Sequence, residues 1–95
     1  MVRKGFETKL KNFLENRKID GSELLLDAVK VQKESSVKLL LDQQLDINYQ
    51  DEKGNTALHY AAELDSNEIL NLLLENGANV EISNDEDMTA LQMAV

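Results

Sequence analysis

The sequence predicts an all-α fold built as a stack of repeated helix pairs, on three observations. The chain repeats itself at a spacing of 33 residues without insertion or deletion: Gly54 falls on Gly21, Leu58 on Leu25, Ala61 on Ala28, and Leu72-Leu73-Leu74 on Leu39-Leu40-Leu41. In the other direction Thr56-Ala57-Leu58 falls on Thr89-Ala90-Leu91, and Ala61 on Ala94. A fixed period of this size marks stacked units that bury their apolar sides against one another. Within the units apolar residues recur at helical spacing, as in Ile69, Leu70, Leu72, Leu73 and Leu74. Breakers stand between those runs: Asp65-Ser66-Asn67 interrupts the middle unit and Gly77 closes it.

The middle unit carries a recognisable signature. Thr56-Ala57-Leu58-His59-Tyr60-Ala61-Ala62 resembles the T-P-L-H-x-A opening of the ankyrin repeat, with alanine in place of proline. Leu72-Leu73-Leu74-Glu75-Asn76-Gly77-Ala78-Asn79-Val80 resembles the close of the same repeat. The resemblance implies an all-α ankyrin-repeat solenoid of antiparallel helix pairs joined by short β-hairpin loops. It also implies a non-catalytic module that binds a protein partner, the alternatives being a segment that positions another domain of a larger multidomain protein or effector, or a self-associating structural piece.

In chain order, Phe6, Leu10, Phe13 and Leu14 form one stripe of an amphipathic helix near 6–16, with Lys9, Lys11, Glu15 and Arg17 on its other sides. Two phenylalanines and two leucines make a thin apolar face, so residues 1–17 read as a capping helix rather than a membrane-surface segment. Leu14 precedes Gly21 by 7 residues, whereas Leu41 precedes Gly54 by 13, so the first junction lacks room for a hairpin. Repeat one, residues 18–50, is degraded, with Glu23-Leu24-Leu25-Leu26 where the motif has T-P-L-H. Ser22 is the expected N-cap of a helix near 23–31. A second helix near 34–42 should bury Val37, Leu40 and Leu41. Gln44 stands where repeat two has Gly77, and a left-handed conformation there would cost about 1 kcal/mol. Asp46, Asn48 and Asp51 give the following link turn chemistry, and Gly54 supplies a positive φ.

Repeat two, residues 51–83, predicts helices near 57–63 and 67–75, capped by Thr56 and closed by Gly77. Asp65 occupies a position where the family usually has glycine, which Asp tolerates better than most residues. Repeat three, residues 84–95, starts a helix near 89–94, with Asp87 in place of the turn glycine and Gln92 in place of the histidine. The sequence stops on an apolar residue, which suggests a longer array or an uncapped end covered by another chain, including by homo-association.

Composition bounds the function. Residues 1–41 carry nine Lys and Arg against six Asp and Glu, whereas residues 42–95 carry one Lys against twelve Asp and Glu. The acidic body argues against nucleic acid, which draws its affinity from clustered Lys and Arg. The same charge keeps a chain soluble, and it also suits a partner with a basic contact surface. Apolar runs reach three residues, against the roughly 20 needed to span a bilayer, so no membrane role is expected. There is no cysteine, which removes thiolate chemistry and suits an intracellular, cytoplasmic setting.

No enzyme or cofactor is expected. His59 is the only histidine, and its neighbouring hydroxyls on Thr56 and Tyr60 are accounted for by capping and by a variable repeat position. The resemblance gives His59 a structural role, tying neighbouring loops together. Asp85-Glu86-Asp87 lacks the alternating oxygens and glycine turn of a calcium loop. The resemblance places partner contacts at the hairpin tips, here Ile19, Asp20 and Ser22; Glu52, Lys53 and Asn55; Asp85, Glu86 and Met88. It adds the exposed side of the first helices, here Lys30 and Val31, then Glu63 and Leu64. Tyr60 joins them as an aromatic anchor if it projects from the same side, the alternative being burial in the stack.

Overall fold

Apolar residues 33 positions apart become stacked helices, and the stacking sets every other feature of the chain. A computed structural model describes residues 8, 11, 21–43 and 45–93. Five helices follow in order: α1 (Gly21–Lys30), α2 (Glu34–Leu41), α3 (Ala57–Glu63), α4 (Asn67–Glu75) and α5 (Ala90–Met93). Helices α1 and α2 pack as one pair, and α3 and α4 as the next. Across the repeats α1 stacks on α3 and α3 on α5 to form an inner layer, while α2 stacks on α4 to form an outer one. Thr8 and Lys11 are helical; the rest of the expected capping helix, Gln44, Ala94 and Val95 lie outside the described residues.

The core sits between the layers. Leu25, Ala28 and Val29 of α1 meet Leu58, Ala61 and Ala62 of α3, and Val37, Leu40, Ile69 and Leu73 close the outer side. Small residues at Ala28 and Ala61, both fully buried, let the inner helices approach closely. On α4 the expected apolar side narrows: Ile69 and Leu73 are buried, Leu70 and Leu72 half-buried, and Leu74 is 41% exposed. A nine-residue helix packed against α3 and α2 cannot bury five leucine and isoleucine side chains spread over more than half its circumference.

The inner helices α1 and α3 end in the same way. Gln32 N–H donates to Val29 C=O and Lys33 N–H to Ala28 C=O, and 33 residues on Asp65 and Ser66 donate to Ala62 and Ala61. These paired bonds form a Schellman motif, whose C′ residue must be left-handed. Gln32 (φ 56°) and Asp65 (φ 57°) both are. Helix α4 closes by the same bonds on Gly77 (φ 88°). The three-residue link then turns the chain into an antiparallel outer helix, as the repeat demands.

The links between repeats are turns, and the described residues contain no strand. Asp51 N–H donates to Asn55 C=O at 3.0 Å, and Gly54 N–H to Asp51 C=O at 2.9 Å. Thirty-three residues on, Asn84 and Asp87 make the same two bonds, to Met88 and Asn84. Asp51 Oδ1 accepts from the N–H groups of Lys53 and Asn55, and Asn84 Oδ1 from those of Glu86 and Met88. Carboxylate and amide thus hold each tip by side-chain-to-backbone bonds of the Asx type. Asp85 N–H reaches back to Lys53 C=O at 3.0 Å and joins the two tips directly.

Candidate functional site

Glu23, Leu26, Asp27 and Lys30 fall at i, i+3, i+4 and i+7 on α1, which is one face of a helix. That face meets Tyr60 of α3 and the tip residues Tyr49, Asp51, Glu52 and Lys53 around a groove of about 430 Å³. Four carboxylates, two ammonium groups and two phenol rings therefore share one concavity. Asp51 is its fixed point. Besides the two backbone bonds on Oδ1, its Oδ2 accepts from the Tyr60 hydroxyl.

Burial works to raise the Asp51 pKa. The bonds from Tyr60, Asn55 and Lys53 and the charge of Lys30 together outweigh it, and hold the carboxyl below its ordinary value. Tyr60 moves the other way: burial, the bond to the Asp51 carboxylate and the nearby charges of Asp51 and Glu63 push its phenol up. The Lys30 ammonium lies over the Tyr60 ring, 4.7 Å from its centroid.

The groove gathers Lys30, Glu52, Lys53 and Tyr60 of the residues the sequence nominated. Glu63, Leu64, Asp85 and Glu86 are exposed, while Val31 is half-buried and packs against the core. Met88 is half-buried, and its carbonyl serves His59. Two nominations need correction. Ser22 neither caps a helix nor lies at a tip: Gly21 is already helical, and the buried Ser22 hydroxyl accepts Asp46 N–H at 2.8 Å. Asn55 is buried as well, its Oδ1 accepting from Asn84 Nδ2 at 2.8 Å across the repeat interface. Ile19 and Asp20 lie outside the described residues.

Sequence reasoning missed Glu23, Asp27, Tyr49 and Asp51 as groove residues. The i, i+4, i+7 spacing of Glu23, Asp27 and Lys30 was a usable signal for the first two. Tyr49 had none, because its orientation follows from how the link folds back over α1.

His59 is 1% exposed and serves the scaffold. Its Nδ1 accepts Thr56 N–H at 3.0 Å, completing a capping box in which Thr56 Oγ1 accepts His59 N–H. With Nδ1 an acceptor, the ring proton sits on Nε2 and is donated to Met88 C=O of the next repeat at 2.9 Å. Gln92 reproduces the capping box, its Oε1 accepting Thr89 N–H at 2.8 Å and its own N–H donating to Thr89 Oγ1 at 3.4 Å. Every buried side-chain nitrogen and oxygen among the described residues has a hydrogen-bond partner. Among the described residues no three His, Asp or Glu side chains converge to hold a metal ion, and no helix is long and apolar enough to cross a membrane.

Two layers of stacked helices, turn tips joined by hydrogen bonds at 33-residue register and one shared groove define a helical-repeat solenoid. Residues 25–95 match the family model of ankyrin repeats in three copies, and the chain belongs to the ankyrin-repeat family. It is 35% identical over 81 residues to Neurogenic locus notch homolog protein 1 of Xenopus laevis, covering 85% of this chain and 3% of that protein. An ankyrin repeat protein of fowlpox virus (strain NVSL) is 32% identical over 80 residues, covering 84% of this chain and 12% of the viral protein. Among solved structures, the ankyrin repeat domain of Bcl-3, a member of the IkappaB protein family, superposes with a TM-score of 0.80 at 28% identity. That match covers 90% of this chain and 40% of the Bcl-3 chain. The chain thus spans a small part of the relatives it matches. Ankyrin repeats as a class are protein–protein interaction modules and generally non-catalytic.

Proposed function

We propose that this chain binds a protein partner along the strip formed by the tips Glu52-Lys53 and Asp85-Glu86 and the inner-helix face around Tyr60, and that the partner presents a basic surface there. The observation that carries the reading is the groove. It combines aromatic area, which supplies contact energy at low entropic cost, with four carboxylates, one of which, Asp51, is held in place by backbone bonds. The bonds between Lys53 and Asp85 and between Asn55 and Asn84 fix the two tips relative to each other, so the strip is rigid before a partner arrives. Its charge acts mainly on association rate and partner choice, since each exposed pair contributes under about 1 kcal/mol.

The test is stopped-flow association with a Lys/Arg-rich peptide while salt rises from about 50 to about 500 mM, a range that takes the Debye length well below the tip spacing. The on-rate should fall with salt, and Glu52→Lys with Glu86→Lys should slow it several-fold while leaving the melting temperature near wild type. Salt-insensitive binding would refute the basic-partner reading.

A second reading is favoured at the far end of the stack. Leu58, Ala62, Leu70, Leu74, Val80, Ala90 and Leu91 line an apolar hollow there, with Leu91 66% exposed. Further repeats or a second copy would cover it, and sedimentation across a concentration series separates a monomer from a self-associating chain.

A further inference from the structure

We propose that the ring face of Tyr60 is a seat for one arginine of the partner, held in the free protein by the chain's own Lys30. This inference rests on the strip reading above and specifies its central contact. Three features of the groove converge on it.

The Lys30 ammonium already sits 4.7 Å from the ring centroid, so the pocket selects a cation without any partner present. The Tyr60 hydroxyl donates to the Asp51 carboxylate, which draws positive charge off the phenol oxygen and leaves the ring richer in electrons towards a cation above it. Asp51 cannot swing away to neutralise an incoming cation by itself, because its other oxygen is held at 3.0 Å by the N–H groups of both Lys53 and Asn55. Glu23, Asp27 and Glu52 line the same groove and set its sign.

A guanidinium is planar, stacks on aromatic faces and is more weakly hydrated than an ammonium, so it gives up less water on entering. Lys30 is exposed and belongs to a flexible four-carbon stem, and it swings into solvent when displaced. Lys30 is then an internal competitor: it keeps the groove filled and raises the threshold for weakly basic ligands.

The experiment measures fluorescence-anisotropy titrations of the 95-residue chain with nona-arginine and nona-lysine peptides at low salt. Wild type should prefer the arginine peptide by about two- to fivefold, the range of an exposed cation–π contact. Lys30→Met should tighten the arginine peptide by a further factor of similar size. In the double variant with Tyr60→Leu, both the preference and the Lys30→Met gain should vanish. A gain that survives undiminished without the ring would show a mere change of field and overturn the proposal. Because Tyr60→Leu also removes packing, proton NMR gives an independent readout: ring-current upfield shifts of an arginine side chain in the wild-type complex support the seat, and their absence overturns it. Loss of arginine preference while Glu52→Lys with Glu86→Lys still slows association would sink the Tyr60 seat alone. No binding of either peptide would remove the strip reading with it.

Discussion

Gly54→Ala and Gly77→Ala form a matched pair whose difference isolates one contact between repeats. Both glycines are left-handed, at φ 77° and 88°, so alanine carries the same backbone penalty of roughly 1–2 kcal/mol at each. Both substitutions also stiffen the unfolded chain, which returns about 0.4–1 kcal/mol. The surroundings differ. A Cβ on Gly77 meets nothing within 4 Å, whereas one on Gly54 stands 2.9 Å from Asp85 N and 3.1 Å from Asn84 Cα. Those are backbone atoms of the next tip and cannot rotate away. Relief requires the tips to separate, which breaks the bond from Asp85 N–H to Lys53 C=O, a further loss of about 0.5–1.5 kcal/mol before any lost packing. Gly77→Ala should therefore cost about 0.5–1 kcal/mol and Gly54→Ala about 1–2.5 kcal/mol before any lost packing. In a small domain with roughly 5 kcal/mol of stability the second is severe. Urea denaturation followed by circular dichroism, with linear extrapolation, measures both. Equal losses would refute the claim that the tip contact, rather than φ alone, demands glycine at position 54.

His59→Ala should cost about 2–3 kcal/mol, because it leaves Thr56 N–H and Met88 C=O without their partner in a buried site, and chemical denaturation is the check. Peptide affinity should remain near wild type wherever that variant is folded; a large loss of affinity without loss of stability would move His59 into the binding site. Leu73→Asp should unfold the chain, since Leu73 is fully buried in α4 and an unpaired carboxylate there has nothing to offset its desolvation; an unchanged melting curve would refute the assignment. Asp51 gives a pH signature of definite sign. Its folded pKa is depressed, so its contribution is present above the unfolded carboxylate value and is lost as pH falls through the folded one. Asp51→Asn should flatten that acid-side decline in melting temperature, and an identical profile would show that the carboxylate is not favoured by the fold. Tyr60, raised in the fold, contributes below the unfolded phenol value and loses that contribution as pH rises through the folded one, so Tyr60→Phe should flatten the alkaline side.

Much of the fold was legible in the sequence because a solenoid writes its architecture locally. Gly77 as a left-handed C′ residue, Asp65 as its tolerated substitute and Thr56 as an N-cap each follow from a few neighbouring residues. The 33-residue register fixed which helices are equivalent, and α3 and α4 occupy 57–63 and 67–75 as expected. Gln32 escaped notice as a left-handed residue, since glutamine carries no signal for that conformation and only its equivalence to Asp65 discloses it.

Tertiary structure decided what the tips do. Period alone says that Ser22 and Asn55 are equivalent, not that one receives Asp46 N–H and the other Asn84 Nδ2, with both side chains buried. Nor does it say that Asp51 ties Tyr60, Lys53 and Asn55 together, or that Lys30 lies over the Tyr60 ring. The physical reason is one of range. Helix periodicity and capping are settled within about five residues of chain, whereas Ser22 meets Asp46 across 24 positions, Asn55 meets Asn84 across 29 and Lys30 meets Tyr60 across 30. Their partners are chosen by how two repeats dock, and stacking geometry is a property of the pair of surfaces rather than of either segment.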